Sequence, residues 1–226
     1  MKHIIIILCI IAGICSSCDG MLDNIQPYLE AGETIYVGKV DSLSASSGRN
    51  RIQLNGYYMY GVTQKKCIVR WQSLEEEEKS MELDVVRQDP VDPFEVIVNN
   101  LEEGQYEFTI TTYDAKGNAS IESVIDGYAY GNMYESNLAN RKMDQLKVEE
   151  GNVVISWRPA NDALKSEIYY TDVTGNEKEI EVSITETETR ITDCDLTKAL
   201  RWRTVYLPEK TAIDYFYSEF TETMTP

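Results

Sequence analysis

The sequence predicts an all-β protein built from two tandem β-sandwiches, and three observations favour this fold class. The clearest strand pattern runs from Tyr106 to Tyr113, where apolar and polar residues alternate with the period of a half-buried strand. Turn signals such as Gly117-Asn118 separate this strand from other short alternating segments. A second series of strands follows residue 142, and 226 residues suffice for two domains with separate cores.

The chain begins with a segment typical of exported proteins. Residues 1–17 combine a basic start at Lys2, an apolar run too short to span a bilayer as a folded helix, and small residues before Cys18. A cysteine in this position resembles the bacterial lipobox, which implies that Cys18 carries a lipid anchor in the membrane. Ordinary secretion with cleavage nearby is the alternative. Residues 18–33 lack a sustained period and predict a tether.

Composition and charge exclude several classes of function. The chain has 38 acidic and 21 basic residues, a net charge of −17, and such a surface repels nucleic acid and anionic lipid headgroups. The only histidine, His3, lies in the predicted signal segment, so the mature chain has no imidazole for a general base, a metal ligand or a catalytic triad. We therefore expect no enzyme activity, no catalytic residues, no metal and no cofactor.

Two cysteines remain besides Cys18 in the mature chain, Cys67 and Cys194. A disulfide between them is chemically feasible in an oxidising envelope, but they fall in different predicted domains. We therefore expect two buried or half-buried thiols.

The first predicted domain covers residues 34–130. Alternation from residue 35 leads into an expected serine-rich turn at residues 44–48, and Cys67, Val69 and Trp71 share a core-facing side of one later strand. Strands are predicted over residues 51–56, 65–72, 81–87, 94–98 and 106–113, with another from Ser120.

Residues 131–141 interrupt the strand pattern and predict a linker that could include one helical turn. The second predicted domain covers residues 142–226, with a turn at Gly175-Asn176. Its strands are predicted over residues 153–157, 168–172, 178–184, 187–191, 201–206 and 215–221.

Local motifs resemble fibronectin type III or immunoglobulin-like sandwiches. Val153 to Trp157, followed by Arg158-Pro159, resembles the second strand of a fibronectin type III domain. Leu101, Tyr106 and the Gly117-Asn118 turn resemble the corner, sixth strand and final hairpin of that fold.

The whole mature chain resembles a family of Bacteroidetes lipoproteins containing a domain of unknown function. The shared motifs are Ile35-Tyr-Val-Gly-Lys39, Tyr113 to Asn118, and Tyr130-Gly-Asn-Met-Tyr134 with Asn140-Arg141. The resemblance implies an outer-membrane or cell-surface location, often beside glycan-uptake machinery, and it brings no catalytic residues.

Tyrosines are the main candidates for ligand binding. Aromatic residues crowd the end of one strand, the linker and a C-terminal segment: Tyr57, Tyr58 and Tyr60; Tyr128, Tyr130 and Tyr134; and Tyr215, Phe216 and Tyr217. Adjacent strand residues point to opposite faces, so one of each neighbouring pair should be exposed and available to a sugar ring or a protein partner. We expect such a surface at Tyr58, Tyr60, Tyr130 and Tyr134. The alternative is core filling and packing between the domains.

Acidic loops are weaker candidates for cation binding. The run from Glu75 to Glu78 lacks the glycine-bearing scaffold of a calcium loop, and a solvated turn explains it better. Asp114, Asn118 and Asp126 are likewise residues that tight turns require for their own backbone bonds.

The sequence therefore predicts a non-catalytic binding module of the cell envelope, with a glycan or an envelope protein as partner. A spacer or protein-interaction accessory of an envelope complex is the alternative. A carboxylate-dependent glycoside hydrolase is a third hypothesis, and no motif supports it. Two carboxylates at a suitable separation would carry little weight, because 38 acidic residues place some pair at that separation by chance.

Overall fold

The computed structural model describes residues 36–74 and 77–226, which fold into two β-sandwiches and confirm the all-β fold class. The predicted signal segment, the tether and Cys18 lie outside the described residues, as do Glu75 and Glu76 of the acidic run.

The first sandwich contains seven antiparallel strands. They are β1 (Val40–Gly48), β2 (Arg51–Tyr58), β3 (Gln64–Gln72), β4 (Lys79–Asp84), β5 (Asp92–Asn99), β6 (Gly104–Asp114) and β7 (Ser123–Ala129). One sheet has the order β1-β2-β5 and the other the order β4-β3-β6-β7. The period of two along each strand sends alternate side chains into the space between these sheets.

The predicted core faces of the first sandwich are confirmed. Ile52 and Leu54 of β2 are fully buried, as are Cys67 and Val69 of β3, while Trp71 retains 9% exposure. They pack with the apolar side of β6, which contributes Tyr106, Phe108 and Ile110. Cys67 and Cys194 are both free and buried, which confirms the expectation of two thiols at these positions. Burial raises the pKa of Cys67 to about 11.

The second sandwich repeats the strand order of the first. Its strands are β8 (Met143–Glu149), β9 (Asn152–Trp157), β10 (Lys165–Thr171), β11 (Glu177–Ser183), β12 (Glu188–Ile191), β13 (Ala199–Tyr206), β14 (Phe216–Tyr217) and β15 (Thr221–Met224). One sheet has the order β12-β9-β8 and the other β11-β10-β13-β14, with β15 also paired to β13. The last strand of the plan is thus split into two pieces.

The expected serine-rich turn at residues 44–48 is wrong, because these residues belong to β1. Their backbone pairs with β2 from Ser44 opposite Asn55 to Gly48 opposite Arg51. The reversal of direction occurs one step later, where Asn50 adopts a φ of 52°. Ladder hydrogen bonds and partial burial therefore outweigh the weak strand preference of serine.

The segment between the sandwiches contains one short helix, α1 (Asn132–Ser136), which confirms the predicted helical turn. Its first backbone N–H groups donate to Glu103, from Met133 at 2.7 Å and from Tyr134 at 2.8 Å. Across residues 36–74 and 77–226, no helix has the length and apolar character needed to cross a membrane.

Candidate binding cleft

An open cleft lies at the end of the first sandwich where β2 leads into β3. Its volume is about 390 Å³, within the range of roughly 300–1,000 Å³ typical of ligand sites. It is lined by Tyr36, Val37, Gly38, Lys39, Tyr60 and Ile121. Tyr36 and Tyr60 are each 66% exposed, so both rings are available to a ligand.

Tyr60 is held in an unusual backbone conformation. Its φ of 60° lies in the left-handed region, which bulky residues rarely occupy, and Gly61 follows with a φ of 110°. The Tyr60 hydroxyl donates to Asp41 at 2.7 Å. This hydrogen bond lowers the pKa of Asp41 and raises that of Tyr60. Such strain persists only where the surroundings impose it, and it concentrates at functional sites.

A bulge in β1 places Asp41 beside the cleft. The register of β1 against β2 shifts between Asp41 and Ser44, and Ser42 has a φ of 55°. The Ser42 backbone N–H donates to the Asp41 carboxylate at 2.7 Å. Bulges re-aim side chains in this way, and here the carboxylate meets the Tyr60 hydroxyl.

The floor of the cleft is a close approach of two backbone segments. The amide of Gln64, which is fully buried, donates to the carbonyl oxygens of Gly38 at 2.9 Å and Met59 at 3.0 Å. A side-chain carbon at Gly38 would overlap the carbonyl oxygens of Met59 and Tyr60. Glycine at this position therefore lets the segment from Tyr36 to Lys39 lie directly against the loop that carries Tyr60.

Arg87 ties the loops around the cleft together from below, with a side chain that is only 1% exposed. Its Nε donates to Asp92 at 2.7 Å, and its Nη1 donates to the Gly61 carbonyl at 2.8 Å and to the Gln64 side chain at 2.5 Å. The hydrogen bond from Arg87 lowers the pKa of Asp92. The Nη2 group donates to the carbonyl oxygens of Tyr58, Asp89 and Pro90. The loop after β2 and the loop before β5 are thus joined by one guanidinium group.

Tyr60 is the one predicted binding residue that the structure places in this cleft. The expectation of an exposed Tyr58 is wrong, because Tyr58 is only 8% exposed and packs edge-on against Phe94 at 5.5 Å. Its neighbour Tyr57 is 47% exposed. Alternation therefore exposes one residue of this pair, as expected, but the exposed residue is Tyr57 and the buried one is Tyr58.

Tyr130 and Tyr134 lie at the opposite end of β2, which is roughly 24 Å long at about 3.4 Å per residue. Both are half-buried, their ring centroids are 4.7 Å apart, and both contact Phe216 of the second sandwich. The structure therefore favours the alternative interpretation for this pair, which is packing between the domains.

Paired charges surround this aromatic contact at the junction. Arg49 donates to Glu135 through two hydrogen bonds of 2.5 and 2.6 Å, and its guanidinium lies 4.4 Å from the Phe216 ring centroid. Arg51 donates to Asp214 at 2.8 and 2.6 Å. Arg49 and Arg51 lie in the first sandwich and Asp214 in the loop between β13 and β14, so the two sandwiches are joined by more than their linker.

We expect Asp214→Asn to loosen this junction and to lower the free energy of unfolding by about 1–2 kcal/mol, since the pair is only partly buried. Small-angle X-ray scattering at neutral pH should show a wider distribution of distances between the sandwiches. Asp144→Asn removes a carboxylate from an exposed ion pair with Arg158 and should leave the scattering unchanged. An unchanged profile for Asp214→Asn would contradict a role for this pair in fixing the domains.

The same pairs give the junction a pH dependence. Hydrogen bonds from Arg51 and Arg49 lower the pKa values of Asp214 and Glu135 respectively. The contribution of these two ion pairs to stability is therefore complete above the ordinary carboxyl pKa of about 4. It is lost as the pH falls through the lowered pKa values of Asp214 and Glu135.

Sequence reasoning missed Tyr36, Gln64 and Arg87. Tyr36 belongs to the motif Ile35 to Lys39, which carries the family resemblance but does not by itself indicate a binding site. Gln64 and Arg87 act through backbone carbonyl groups of distant loops, and such contacts leave no pattern in a single sequence.

The carboxylates of the described residues provide no convincing cation site. One group, Glu167, Glu179 and Glu181, brings oxygen atoms within 4.8 Å of one another. Glu167 already accepts a hydrogen bond from Arg203 at 2.7 Å, so its charge is compensated. Asp114 accepts from the backbone of Lys116 and Asn118, which confirms the turn interpretation for Asp114 and Asn118. The turn interpretation is wrong for Asp126, which lies within β7 and pairs with Glu107.

Comparisons with known proteins identify a family and find solved structures to which the chain is similar. The family model DUF4998, described as a domain of unknown function, matches residues 18–216. No curated protein matches the chain. The fold is similar to the crystal structure of chicken CNTN1 FN1–FN3 domains, with 15% identity, a TM-score of 0.45, and coverage of 84% of this chain and 65% of that one. It is also similar to a segment of two fibronectin type III domains from chicken tenascin, with 15% identity, a TM-score of 0.35, and coverage of 82% and 97% respectively.

Proposed function

We propose that this chain, which belongs to the DUF4998 family, is a non-catalytic binding module that holds a saccharide in the cleft between Tyr36 and Tyr60. The observation that carries the proposal is the pair of tyrosines, each 66% exposed, that flank one cleft. Large aromatic rings normally gain free energy by burial, so two open rings on a rigid support favour a ligand that covers them.

The chemistry of the cleft suits a sugar. Aromatic faces pack against the C–H faces of pyranose rings, and Asp41 and Lys39 offer a hydrogen-bond acceptor and a donor within reach of Tyr60. The support is preorganised, because Gln64 and Arg87 fix the loops by hydrogen bonds before any ligand arrives. Preorganisation reduces the entropy lost on binding.

We place the protein in the cell envelope, anchored in the outer membrane of a Bacteroidetes bacterium through a lipid on Cys18. The lipobox-like segment before Cys18 and the motif resemblance support this location. The cleft lies at the end of the first sandwich where the chain arrives from Cys18, since Tyr36 lines it. A glycan that is held at the cell surface would meet this end of the molecule.

The junction supports a second candidate function, a spacer within an envelope complex. The ion pair of Arg51 with Asp214 joins the sandwiches, the pair of Arg49 with Glu135 fastens α1 between them, and flexible linkage would not need either. In this role the exposed cleft would hold an envelope protein instead of a glycan.

Affinity electrophoresis tests the glycan proposal. Residues 19–226 are run through gels that contain a panel of plant, host and microbial polysaccharides. We expect retardation by at least one glycan, and a loss of affinity of about tenfold or more in Tyr36→Ala and Tyr60→Ala, because a central aromatic contact contributes at least about 1.4 kcal/mol.

Tyr215→Ala is the matched control, because Tyr215 is a similarly exposed tyrosine of the second sandwich. It should bind like the wild type. Retardation that survives both cleft substitutions would place the glycan site elsewhere, and a broad panel without retardation would favour the spacer function.

A further inference from the structure

We infer that the saccharide taken by the cleft between Tyr36 and Tyr60 is uncharged and rich in hydroxyl groups, and that uronate-bearing or sulfated glycans are rejected. This inference rests on the proposed function and adds the chemical class of its ligand. The charged groups around the cleft, and the donor and acceptor positions on them that are not already used within the protein, support this assignment.

Arg87, which holds the loop that carries Tyr60, is not available to an anion. Arg87 has five N–H donors, and the structure gives its guanidinium six acceptors within the protein, among them the Asp92 carboxylate and the Gly61 carbonyl. Its side chain is 1% exposed. Bidentate recognition of a carboxylate or sulfate needs an arginine with free donors, and Arg87 has none to offer.

Lys39 is the one cation among the described residues that line the cleft, and it already has a counter-ion. Its Nζ lies 3.7 Å from Asp41, and both side chains are 31% exposed. An anionic sugar would have to share Lys39 with the Asp41 carboxylate and would be repelled by it. A neutral hydroxyl meets no such repulsion.

Apart from the ammonium group of Lys39, the polar side-chain groups described at the cleft are acceptors. The Tyr60 hydroxyl donates its proton to Asp41, so the phenolic oxygen can accept from a ligand. The Asp41 carboxylate has further acceptor positions beyond those used by Tyr60 and the Ser42 backbone. A sugar hydroxyl can donate to these oxygen atoms, whereas a carboxylate or sulfate group cannot.

The charge of the whole chain acts in the same direction. A net charge of −17 produces a potential that lowers the local concentration of polyanions and their association rate. This contribution is screened by salt, whereas the local arrangement of Asp41 and Lys39 is screened much less at contact distance.

A pair of polymers with one backbone tests the inference. Full-length mature protein is run against hydroxyethyl cellulose and carboxymethyl cellulose, and against neutral and polyuronate or sulfated members of the wider panel, at low and high salt. We expect retardation by neutral polymers only, with the charged member of a matched pair bound at least about tenfold more weakly at low salt, where repulsion is greatest.

Two substitutions locate the selectivity. Asp41→Asn removes the carboxylate and should narrow the difference between neutral and charged polymers. Tyr60→Phe keeps the ring but removes the phenolic oxygen that can accept from a sugar hydroxyl, so it should weaken the binding of neutral polymers while charged polymers stay excluded. It serves as the second variant should Asp41→Asn fold poorly.

The outcomes separate this inference from the proposed function. Retardation by uronate or sulfated glycans that is lost in Lys39→Ala would overturn the inference and leave the binding function standing. Neutral retardation that disappears in Tyr60→Ala supports both. Failure of every glycan on the panel would overturn the proposed function and this inference with it.

Discussion

Replacing Arg87 with methionine is expected to lower the free energy of unfolding of the first sandwich by about 3–5 kcal/mol, the usual cost of removing one partner from a buried charge pair. Methionine fills much of the volume but donates no hydrogen bond. Asp92 would lose its buried counter-charge, and the Gln64 side chain and the carbonyl oxygens that Arg87 now binds would lose a donor. Glycan retardation should fall as well, because the loop that carries Tyr60 is held through Gly61.

The measurement is urea unfolding followed by circular dichroism, with Arg158→Met as the control. Arg158 pairs with Asp144 at 2.9 Å, but its side chain is 61% exposed, so its loss should cost less than about 1 kcal/mol. A cost for Arg87→Met no greater than that of the control would show that the loops hold their positions without the guanidinium group.

The sandwich architecture was predictable because it depends on a local property of the sequence. Ile52 and Leu54 alternate with polar residues, as do Cys67 and Val69, and each pair points to the core. The same logic, carried further along β2, places Tyr58 with Ile52 and Leu54. The burial of Tyr58 therefore follows from the alternation along β2. The clustering of aromatic residues does not by itself show which face of the strand each ring occupies.

The position of Tyr60 was not predictable in this way. It lies two residues beyond Tyr58 and would share its face in a continued strand, but the strand ends and φ becomes positive at Tyr60 and Gly61. The ring therefore leaves the core. Loop conformations of this kind depend on tertiary hydrogen bonds, here those of Gln64 and Arg87.

The ion pairs at the junction between the sandwiches were likewise not predictable from the sequence. Arg51 and Asp214 are separated by 163 residues, and neither carries a mark that distinguishes it from other surface charges. The linker tyrosines did carry a signal, since aromatic residues that crowd a linker suit packing between domains. Their partner Phe216 is fully buried although Tyr215 beside it is 51% exposed, as alternation requires.

Replacing Arg141 with methionine is expected to destabilise the second sandwich by about 3–5 kcal/mol, because several carbonyl oxygens would each lose a charged donor. Arg141 is only 3% exposed and donates to four carbonyl oxygens, those of Arg158, Ser183, Ile184 and Glu186. Its guanidinium also lies 5.3 Å from the centroid of the Trp157 ring. Burial lowers the pKa of Arg141. The hydrogen bonds described for its side chain all go to carbonyl oxygens, so carbonyl dipoles surround the guanidinium group.

Arg141→Lys is the informative companion variant. Lysine retains the charge but presents three donors from one nitrogen, so it cannot reach four carbonyl groups arranged around a planar fork. We expect it to recover less than half of the loss. Full recovery would mean that charge alone matters, and a stabilised Arg141→Met would mean that desolvation of the guanidinium exceeds the gain from its hydrogen bonds.

Tryptophan fluorescence separates the two large effects within one molecule. Trp71 lies in the first core and Trp157 and Trp202 lie in the second, so a Trp71→Phe background reports on the second sandwich alone. In that background Arg141→Met should shift the unfolding midpoint strongly and Arg87→Met weakly. Equal shifts would mean that the ion pairs at the junction make the two sandwiches unfold as one cooperative unit, and adding Asp214→Asn should then separate the transitions.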